Sequence, residues 1–180
     1  MIYVALLRGI NVGGNNKIPM KLLKETFLRA GMQDVVTYIN SGNVVFKASD
    51  YDIKERSELL EKAIFNDFAL DIKVLLRTHE DFHKLLALIP EAWSNDAATK
   101  CDVLFLWDEI TSQELISQVN IKPDIETVIS SDYEVIWCVS KDKVTKSSLV
   151  KLIGTKAYKL ITVRNINTTR KIYTLMNSIK

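Results

Sequence analysis

Apolar residues fall into short runs along the chain, and these runs alternate with segments in which apolar residues recur at helical spacing. Three runs are continuously apolar: "IYVALL" from Ile2, "VLFLW" from Val103 and "VIWCV" from Val135. Continuous runs of this length are typical of strands that are covered on both faces. Helical spacing is clearest after Pro19, which suits a helix start. The pattern therefore predicts a mixed α and β protein.

The first 90 residues predict six elements and a further helix. They are a strand at 2–7, a helix from Pro19 closed by Gly31, strands at 35–39 and 44–48, a second helix, a strand at 72–77, and a helix capped by Thr78 and stopped by Pro90. The second helix is opened by the capping box Asp52-x-x-Glu55, and its apolar side contains Leu59, Leu60, Ala63 and Ile64. The order β-α-β-β-α-β is the split βαβ of ferredoxin-like domains.

The second half repeats this order loosely. It predicts a strand at 102–107, a helix capped by Thr111-x-x-Glu114, strands at 126–130 and 134–140, a short helix at 146–153, a strand at 160–163 and a helix capped by Asn167. We expect an α+β fold of two ferredoxin-like subdomains packed together, at 1–90 and 101–180, with a linker at 91–100. Because such a sheet carries helices on one face only, its other face is expected to be hidden by the other half or by another chain.

Composition narrows the class of protein. Hydrophobic residues make up 47% of the 180, which indicates a packed core. No apolar run approaches the roughly 20 residues that cross a bilayer, so we expect a cytoplasmic protein with no membrane partner. Cys101 and Cys138 lie in strand-like runs. They are predicted to be buried, reduced neighbours, as is usual for cytosolic thiols.

Charge is distributed unevenly along the chain. Residues 141–180 contain ten Lys or Arg and one acid, whereas residues 1–140 contain 14 bases and 21 acids. This asymmetry favours an anionic partner for the C-terminal part. The alternative is that the basic segment folds against the acidic remainder, and the sequence leaves both open.

The opening stretch "LLRGINVGGNNKIPM" contains the parts of a phosphate-binding loop. Gly9, Gly13 and Gly14 allow backbone N–H groups to approach an anion, Lys17 supplies charge, and a helix follows at Pro19. The lysine does not follow the second glycine directly and no Ser or Thr comes after it, so neither GxxxxGK[ST] nor GxGxxG is matched. The alternative is a plain strand-to-helix turn.

The stretch "RNINTT" near the C-terminus is a second candidate for anion binding. Arg164 precedes the predicted helix start, and Arg170 and Lys171 lie in its first turn. Cations are unfavourable at a helix N-terminus, so their presence there indicates a bound anion. The alternative is a set of solvated side chains over a well-capped helix.

Three further patterns are interpreted as non-functional. His79-Glu80-Asp81-Phe82-His83 matches the zinc motif H-E-x-x-H, but no third ligand is evident, so we expect no metal. Ser140-x-x-Lys143 has no partner motif for nucleophilic catalysis. The aromatic residues are expected to be core rather than a base-stacking surface; they are Tyr3, Phe46, Phe105, Trp107 and Trp137.

The chain resembles the bacterial domain-of-unknown-function family numbered 1697. The resemblance rests on "LLRGINVGGNNKIPM", "TYINSGNVVF" and "TVRNINTTRK", and covers nearly the whole chain. It implies a pair of ferredoxin-like halves and brings no activity, substrate or cofactor. The motif residues that it carries over as candidate ligand-binding positions are Arg8, Gly9, Asn11, Gly13, Gly14, Lys17, Ser41, Gly42, Asn43, Arg164, Asn165, Asn167, Thr168 and Lys171.

The function expected from these features is binding of a phosphate-bearing or other anionic small molecule, such as a nucleotide, in a cleft between the two halves. The Leu6–Met20 loop and the Arg164–Lys171 segment are predicted to meet there. No cofactor is expected and no nucleophile–base pair is visible; Lys17 and Ser41 are the best catalytic candidates. The alternatives are nucleic-acid binding through the basic C-terminal segment, which would show a steep salt dependence, and a protein-interaction module.

Overall fold

The computed structural model describes residues 1–49 and 52–179. Two compact units are formed. The first comprises Met1–His83 together with the chain from Ile172 onward, and the second comprises Lys84–Lys171. Each contains a four-stranded antiparallel sheet flanked by helices, so the fold is α+β with two similar halves. This division assigns the end of the last helix to the first unit, whereas the sequence placed it with the second half.

The first unit follows the predicted order of elements. They are β1 (Ile2–Leu7), α1 (Met20–Arg29), β2 (Gln33–Tyr38), β3 (Asn43–Lys47), α2 (Ile53–Phe68), β4 (Val74–Thr78) and the start of α3 (His79–Leu88). The strand order is β2-β3-β1-β4, with β1 antiparallel to both β3 and β4. Val4 lies opposite Val45 on one side and Arg77 on the other.

Local chemistry sets the helix ends in this unit. Gly31 follows α1 with φ +91°, a conformation that closes a helix at little cost for glycine. Asp52 accepts a hydrogen bond from the backbone N–H of Glu55 at the start of α2, and Thr78 caps α3 by accepting from the N–H of Asp81. The predicted caps are confirmed.

Both faces of β1 are buried. Tyr3, Ala5 and Leu7 pack in the core with residues of α1 and α2, and Val4 and Leu6 on the opposite face are also 0% exposed. Two-sided burial of the continuous apolar run is therefore confirmed. The apolar side of α2 is narrower than predicted, because Leu59 is exposed while Leu60 and Ile64 are buried.

The second unit repeats the strand order. Its elements are β5 (Thr99–Leu106), α4 (Ser112–Ser117), β6 (Glu126–Ser130), β7 (Glu134–Ser140), three 3₁₀-helices (Lys141–Lys146, Ser148–Leu152 and Ala157–Leu160), β8 (Ile161–Asn165) and α5 (Ile166–Ser178). The sheet order is β6-β7-β5-β8. The short helix predicted at 146–153 is found as a 3₁₀-helix over Ser148–Leu152, shorter than predicted. The cap predicted at Asn167 is wrong, because Asn165 accepts from the N–H of Thr168.

The repeat extends to strand register. Val103 of β5 lies opposite Ile136 and Arg164, as Val4 of β1 lies opposite Val45 and Arg77. Arg77 and Arg164 therefore occupy equivalent positions, one residue from the end of β4 and β8. Both are buried, at 8% and 7% exposure. The two halves thus share a buried arginine that weak sequence identity does not reveal.

The two cysteines are joined, contrary to prediction. Cys101 and Cys138 face each other on β5 and β7 and form a disulfide, with their Cα atoms 4.0 Å apart. They are buried neighbours, as predicted, but they are not reduced thiols. The physical reason is the register, which places the two side chains directly opposite each other on adjacent strands. Among the described helices, none is long and apolar enough to cross a membrane.

Candidate functional site

Two of the three motif stretches come together in the first unit. The loop at 8–18, between β1 and α1, lies against the turn at 39–42 between β2 and β3. The side-chain Nδ2 of Asn11 donates to the backbone oxygen of Asn40 at 2.8 Å, and the N–H of Leu7 donates to the backbone oxygen of Gly42 at 2.8 Å. The first two motifs therefore form one continuous surface, which we call the loop surface.

Asn11 organises the loop through its side chain. Its Oδ1 accepts from the N–H of Ile18 at 2.8 Å, and its Nδ2 donates to the backbone oxygen of Ile18 at 3.0 Å. The Asn11 backbone N–H donates to the oxygen of Asn16, whose own side chain donates to the oxygen of Gly9. The loop is thus closed on itself by two asparagines and is not held by packing alone.

The glycine pair forms the apex of a small hairpin. The N–H of Asn15 donates to the oxygen of Val12 at 3.0 Å, and Gly13 and Gly14 between them have φ of 58° and 81°. Positive φ at both central residues is typical of the tight primed turns of β-hairpins. Both glycines are exposed. The pair projects from the unit, and the chain returns through Lys17 to the start of α1.

Left-handed backbone is concentrated in the loop surface. Of the eleven described residues with positive φ, seven lie there. They are Gly9, Asn11, Gly13, Gly14, Asn16, Ile39 and Gly42. Ile39 is the unusual member, because a β-branched residue at φ 46° is strained. Strain of this kind clusters at functional sites and ligand clamps, where the surrounding structure maintains it.

Some motif residues on this surface have structural contacts. A Cβ on Gly42 would lie 2.7 Å from the Cβ of Leu7. Asn43 is fully buried and donates to the oxygen of Tyr38 at 3.1 Å and to the Oγ of Ser41 at 3.0 Å. These contacts give Gly42 and Asn43 structural roles in the turn, and the Asn43 side chain is fully buried.

Other motif residues are accessible and positively charged. Arg8 is half-buried and Lys17 is exposed. The N-terminus of α1 adds partial positive charge, because Pro19 provides no side-chain cap and its first turn contains no acid. The exposed part of the loop surface therefore combines two cations, a helix N-terminus and strained backbone.

Arg164 of the third motif is placed differently from expectation. It is 7% exposed, and its Nη1 donates to the Oγ1 of Thr162 at 3.0 Å and to the oxygen of Val163 at 2.8 Å. Burial lowers its pKa to about 10. The side-chain oxygen of Asn165 caps α5 by accepting from the N–H of Thr168, and Thr168 itself is buried.

Asn167 and Arg170, near the start of α5, have partners within the second unit. The Oδ1 of Asn167 accepts from the N–H of Asn95 at 3.1 Å, and its Nδ2 donates to the oxygen of the same residue at 2.8 Å. Arg170 donates to the backbone oxygens of Pro90 and Trp93. These contacts hold the linker against α5 and give Arg170 a structural role beside the helix N-terminus. Lys171 is exposed. The predicted joint site of this segment with the opening loop stays a prediction.

The H-E-x-x-H histidines contact residues of α5 in the first unit. His79 Nε2 lies 2.8 Å from Oδ1 of Asn177, and His83 Nδ1 lies 2.7 Å from the hydroxyl of Tyr173. Within residues 1–49 and 52–179, no group of three His, Cys, Asp or Glu is arranged to hold a metal ion. Four of the five aromatic residues are buried as predicted, and Trp107 is half-buried.

Glu126 is the polar residue that the sequence did not single out. It is 3% exposed and accepts from Trp137 Nε1 at 2.9 Å, from the N–H of Lys122 at 3.0 Å, and from both Ser147 and Ser148. Burial raises its pKa, but these hydrogen bonds outweigh that effect, and the pKa is lowered overall. The serines follow it by more than twenty residues, so no local motif marks the site.

Comparison with known proteins identifies similar sequences and folds. Residues 1–137 match a family described as "Protein of unknown function (DUF1697)". A solved structure, that of the conserved bacterial protein SP0830 from Streptococcus pneumoniae, is similar at 30% sequence identity and a TM-score of 0.83. The match covers 97% of this chain and 98% of that one. No curated protein matches the chain.

Proposed function

Since the chain belongs to the family described as of unknown function (DUF1697), we propose a function from the site itself. We propose that the loop surface of the first unit binds a phosphate-bearing or other anionic small molecule, such as a nucleotide. The observation that carries the proposal is the concentration of left-handed backbone in two loops joined by Asn11, with a strained Ile39 among them. A bare connection between strand and helix requires neither the strain nor the second loop.

The charge on this surface favours an anion. Arg8 comes directly after β1, Lys17 lies two residues before Pro19, and the uncapped amides of the first turn of α1 follow. Helix N-termini bind phosphates and carboxylates because N–H groups and the helix dipole both favour negative charge. A cation on each side of the loop would add charge-assisted hydrogen bonds. Lys17 and Ser41 stay the catalytic candidates of the sequence, and no reaction is assigned.

We also propose that each unit is ferredoxin-like in detail. Support comes from the shared strand order, β2-β3-β1-β4 and β6-β7-β5-β8, and from the β-α-β-β-α-β succession of the first unit. In the second unit, three 3₁₀-helices occupy the position in the chain where the second crossover helix would be.

A ligand screen with matched variants tests the binding proposal. The melting temperature of the full chain is measured with a panel of nucleotides, sugar phosphates and inorganic phosphate, because a bound ligand raises stability by mass action. Calorimetry on the best ligand then compares Lys17→Ala and Arg8→Ala with the wild type. We expect each variant to lose roughly tenfold in affinity, the equivalent of one charge-assisted contact.

Lys54→Ala provides the control. Lys54 is an exposed lysine in the first turn of α2, and the neighbouring Arg56 contacts Ser49 beyond the end of β3. That end of β3 pairs with Ile2, whereas Arg8 follows the other end of β1. We expect Lys54→Ala to bind like the wild type. A panel in which no compound raises the melting temperature, or equal losses in Lys17→Ala and Lys54→Ala, would contradict the proposal.

A further inference from the structure

The chain between β7 and β8 forms an ordered basic surface in the second unit. We call residues 141–160 the basic segment. It contains six lysines, no arginine and one acid, Asp142. Five of the lysines are exposed: Lys141, Lys146, Lys151, Lys156 and Lys159. A charge run of this kind is commonly a mobile, solvated loop, but here other contacts give it a defined shape.

The buried carboxylate of Glu126 is the main anchor. It receives the hydroxyls of Ser147 and Ser148 and the backbone N–H of Ser148, at the junction of the first two 3₁₀-helices. Leu152 and Ala157 are buried in the core of the unit and fix the next two turns. The segment is therefore held by one buried charge and two buried apolar side chains, while five of its six lysines remain exposed.

Two apolar side chains are exposed among these lysines. Val150 is 43% exposed and Ile153 is 62% exposed, the latter being among the most exposed large apolar residues described. The N–H of Ile153 donates to the oxygen of Val150 at 3.3 Å, a 3₁₀-type contact. Side chains three residues apart in a 3₁₀-helix eclipse each other. Val150 lies in the 3₁₀-helix and Ile153 is the residue that follows its end, so the two exposed aliphatic side chains are one 3₁₀ turn apart, with Lys151 between them in sequence.

A second pair repeats this spacing with charge. The N–H of Lys159 donates to the oxygen of Lys156 at 3.1 Å, so these two lysines are also eclipsed. The basic segment thus presents an aliphatic pair and a lysine pair within ten residues, and Gly154 with φ 89° turns the chain between them.

We propose that the basic segment docks on an anionic lipid surface. Lysines are attracted to the negative potential of acidic lipid headgroups, and exposed aliphatic side chains enter the boundary between headgroups and acyl chains. The phosphodiester backbone of a nucleic acid would account for the lysines but not for the exposed aliphatic pair. A lipid surface accounts for both. Docking of this kind requires no spanning segment, so it revises the sequence-based expectation of no membrane partner.

Vesicle sedimentation with the full chain tests the inference. Vesicles of phosphatidylcholine alone are compared with vesicles of phosphatidylcholine and phosphatidylglycerol in equal parts. We expect binding to the anionic vesicles only. Ile153→Ser and Lys151→Glu should each weaken it by about fivefold or more, in line with the contribution of one basic or aliphatic residue at a lipid surface.

Two substitutions in α2 are matched controls. Leu59→Ser removes an aliphatic residue that is 47% exposed, and Lys54→Glu reverses an exposed lysine, both in the first unit. Both should leave vesicle binding unchanged. Fluorescence anisotropy with a single-stranded oligonucleotide is run in parallel. The inference is overturned by no binding to anionic vesicles, by Ile153→Ser binding like the wild type, or by tighter binding to the oligonucleotide that ignores Ile153→Ser.

Discussion

Asn11 donates from its side-chain Nδ2 to the backbone oxygen of Asn40, 2.8 Å away, and so ties the loop after β1 to the turn before β3. The same amide group also pairs with both backbone groups of Ile18. One side chain therefore satisfies three backbone groups in two loops. Since φ at Asn11 is 54°, the residue must also tolerate left-handed backbone, which asparagine does better than most.

Replacement of Asn11 should destabilise the first unit. We expect Asn11→Gly, which keeps the backbone freedom, to lower the free energy of unfolding by about 1–3 kcal/mol through lost hydrogen bonds. Asn11→Ala should cost roughly 1 kcal/mol more, because alanine is strained at positive φ. Urea unfolding measures both. Equal stability of Asn11→Gly and the wild type would show that the side chain does not organise the loop.

Strain at Ile39 can be measured by comparing two variants. Ile39→Ala and Ile39→Asn both remove the half-exposed aliphatic side chain, but asparagine accepts φ 46° more readily. We expect the asparagine variant to be more stable than the alanine variant by about 0.5–1 kcal/mol in urea unfolding. The same comparison at Val36, in a β-strand, should favour alanine or show no difference, because asparagine is disfavoured in strands. Equal stabilities at position 39 would mean that the site is unstrained.

The lowered pKa of Glu126 leads us to expect that its contribution to the free energy of unfolding depends on pH. Burial raises its pKa and the hydrogen bonds from Ser147, Ser148, Trp137 and Lys122 lower it, with a lowered pKa as the net result. A carboxylate with a lowered pKa stabilises the fold above its unfolded pKa of about 4.3 and loses that contribution as pH falls through the folded value. Glu126→Gln should therefore cost about 1–3 kcal/mol at pH 7.

The loss in Glu126→Gln should shrink as the pH falls from the unfolded pKa of about 4.3 through the lowered pKa of the folded protein, because the wild-type carboxylate becomes protonated over that range. Urea unfolding at pH 7 and at several values below 4.5 gives the difference at each pH. Glu58→Gln, at an exposed glutamate of α2, is the control and should show no loss at pH 7. A loss in Glu126→Gln that stays constant across this range would contradict the role given to the charge.

The disulfide gives a prediction on thiol content. Protein unfolded without reductant should take up no alkylating reagent at Cys101 or Cys138, and protein unfolded after reduction should take up two equivalents by mass spectrometry. The bridge closes a separation of 37 residues, so its reduction should lower the free energy of unfolding by about 2–4 kcal/mol. Two reactive thiols before reduction would restore the sequence-based expectation of a reduced pair.

The sequence predicted features that depend on neighbours along the chain. The helix caps at Asp52 and Thr111 and the closing Gly31 are found as predicted, because each is decided within three or four residues. The full reciprocal capping box is described at Thr111, whereas Asp52 accepts from the N–H of Glu55. The cap at the start of α5 was predicted at Asn167 but is formed by Asn165, and the sequence could not separate the two because both are asparagine. What separates them is the contact of Asn167 with Asn95, 72 residues away.

Charged residues in the core escaped prediction for a related reason. Arg164 was interpreted as a ligand-binding cation because it precedes the predicted helix start, where a cation indicates a bound anion. Its burial follows from the register that places it opposite Val103, and the register is a long-range property. Glu126 was missed because its serine donors lie 21 and 22 residues further along the chain. The motifs in the sequence were enough to locate the candidate site. The structure was needed to show which of the motif residues are buried in structural roles and which are accessible.

Gly42 shows what this division means for variation among relatives. A methyl group at this position would collide with Leu7, so evolution is expected to keep glycine here even in relatives that bind nothing. Retention of Gly42 then marks descent with the same fold and carries no information about the ligand. Lys17 is exposed and belongs to the proposed binding surface, so substitutions at this position should separate lineages that keep the binding function from lineages that have lost it.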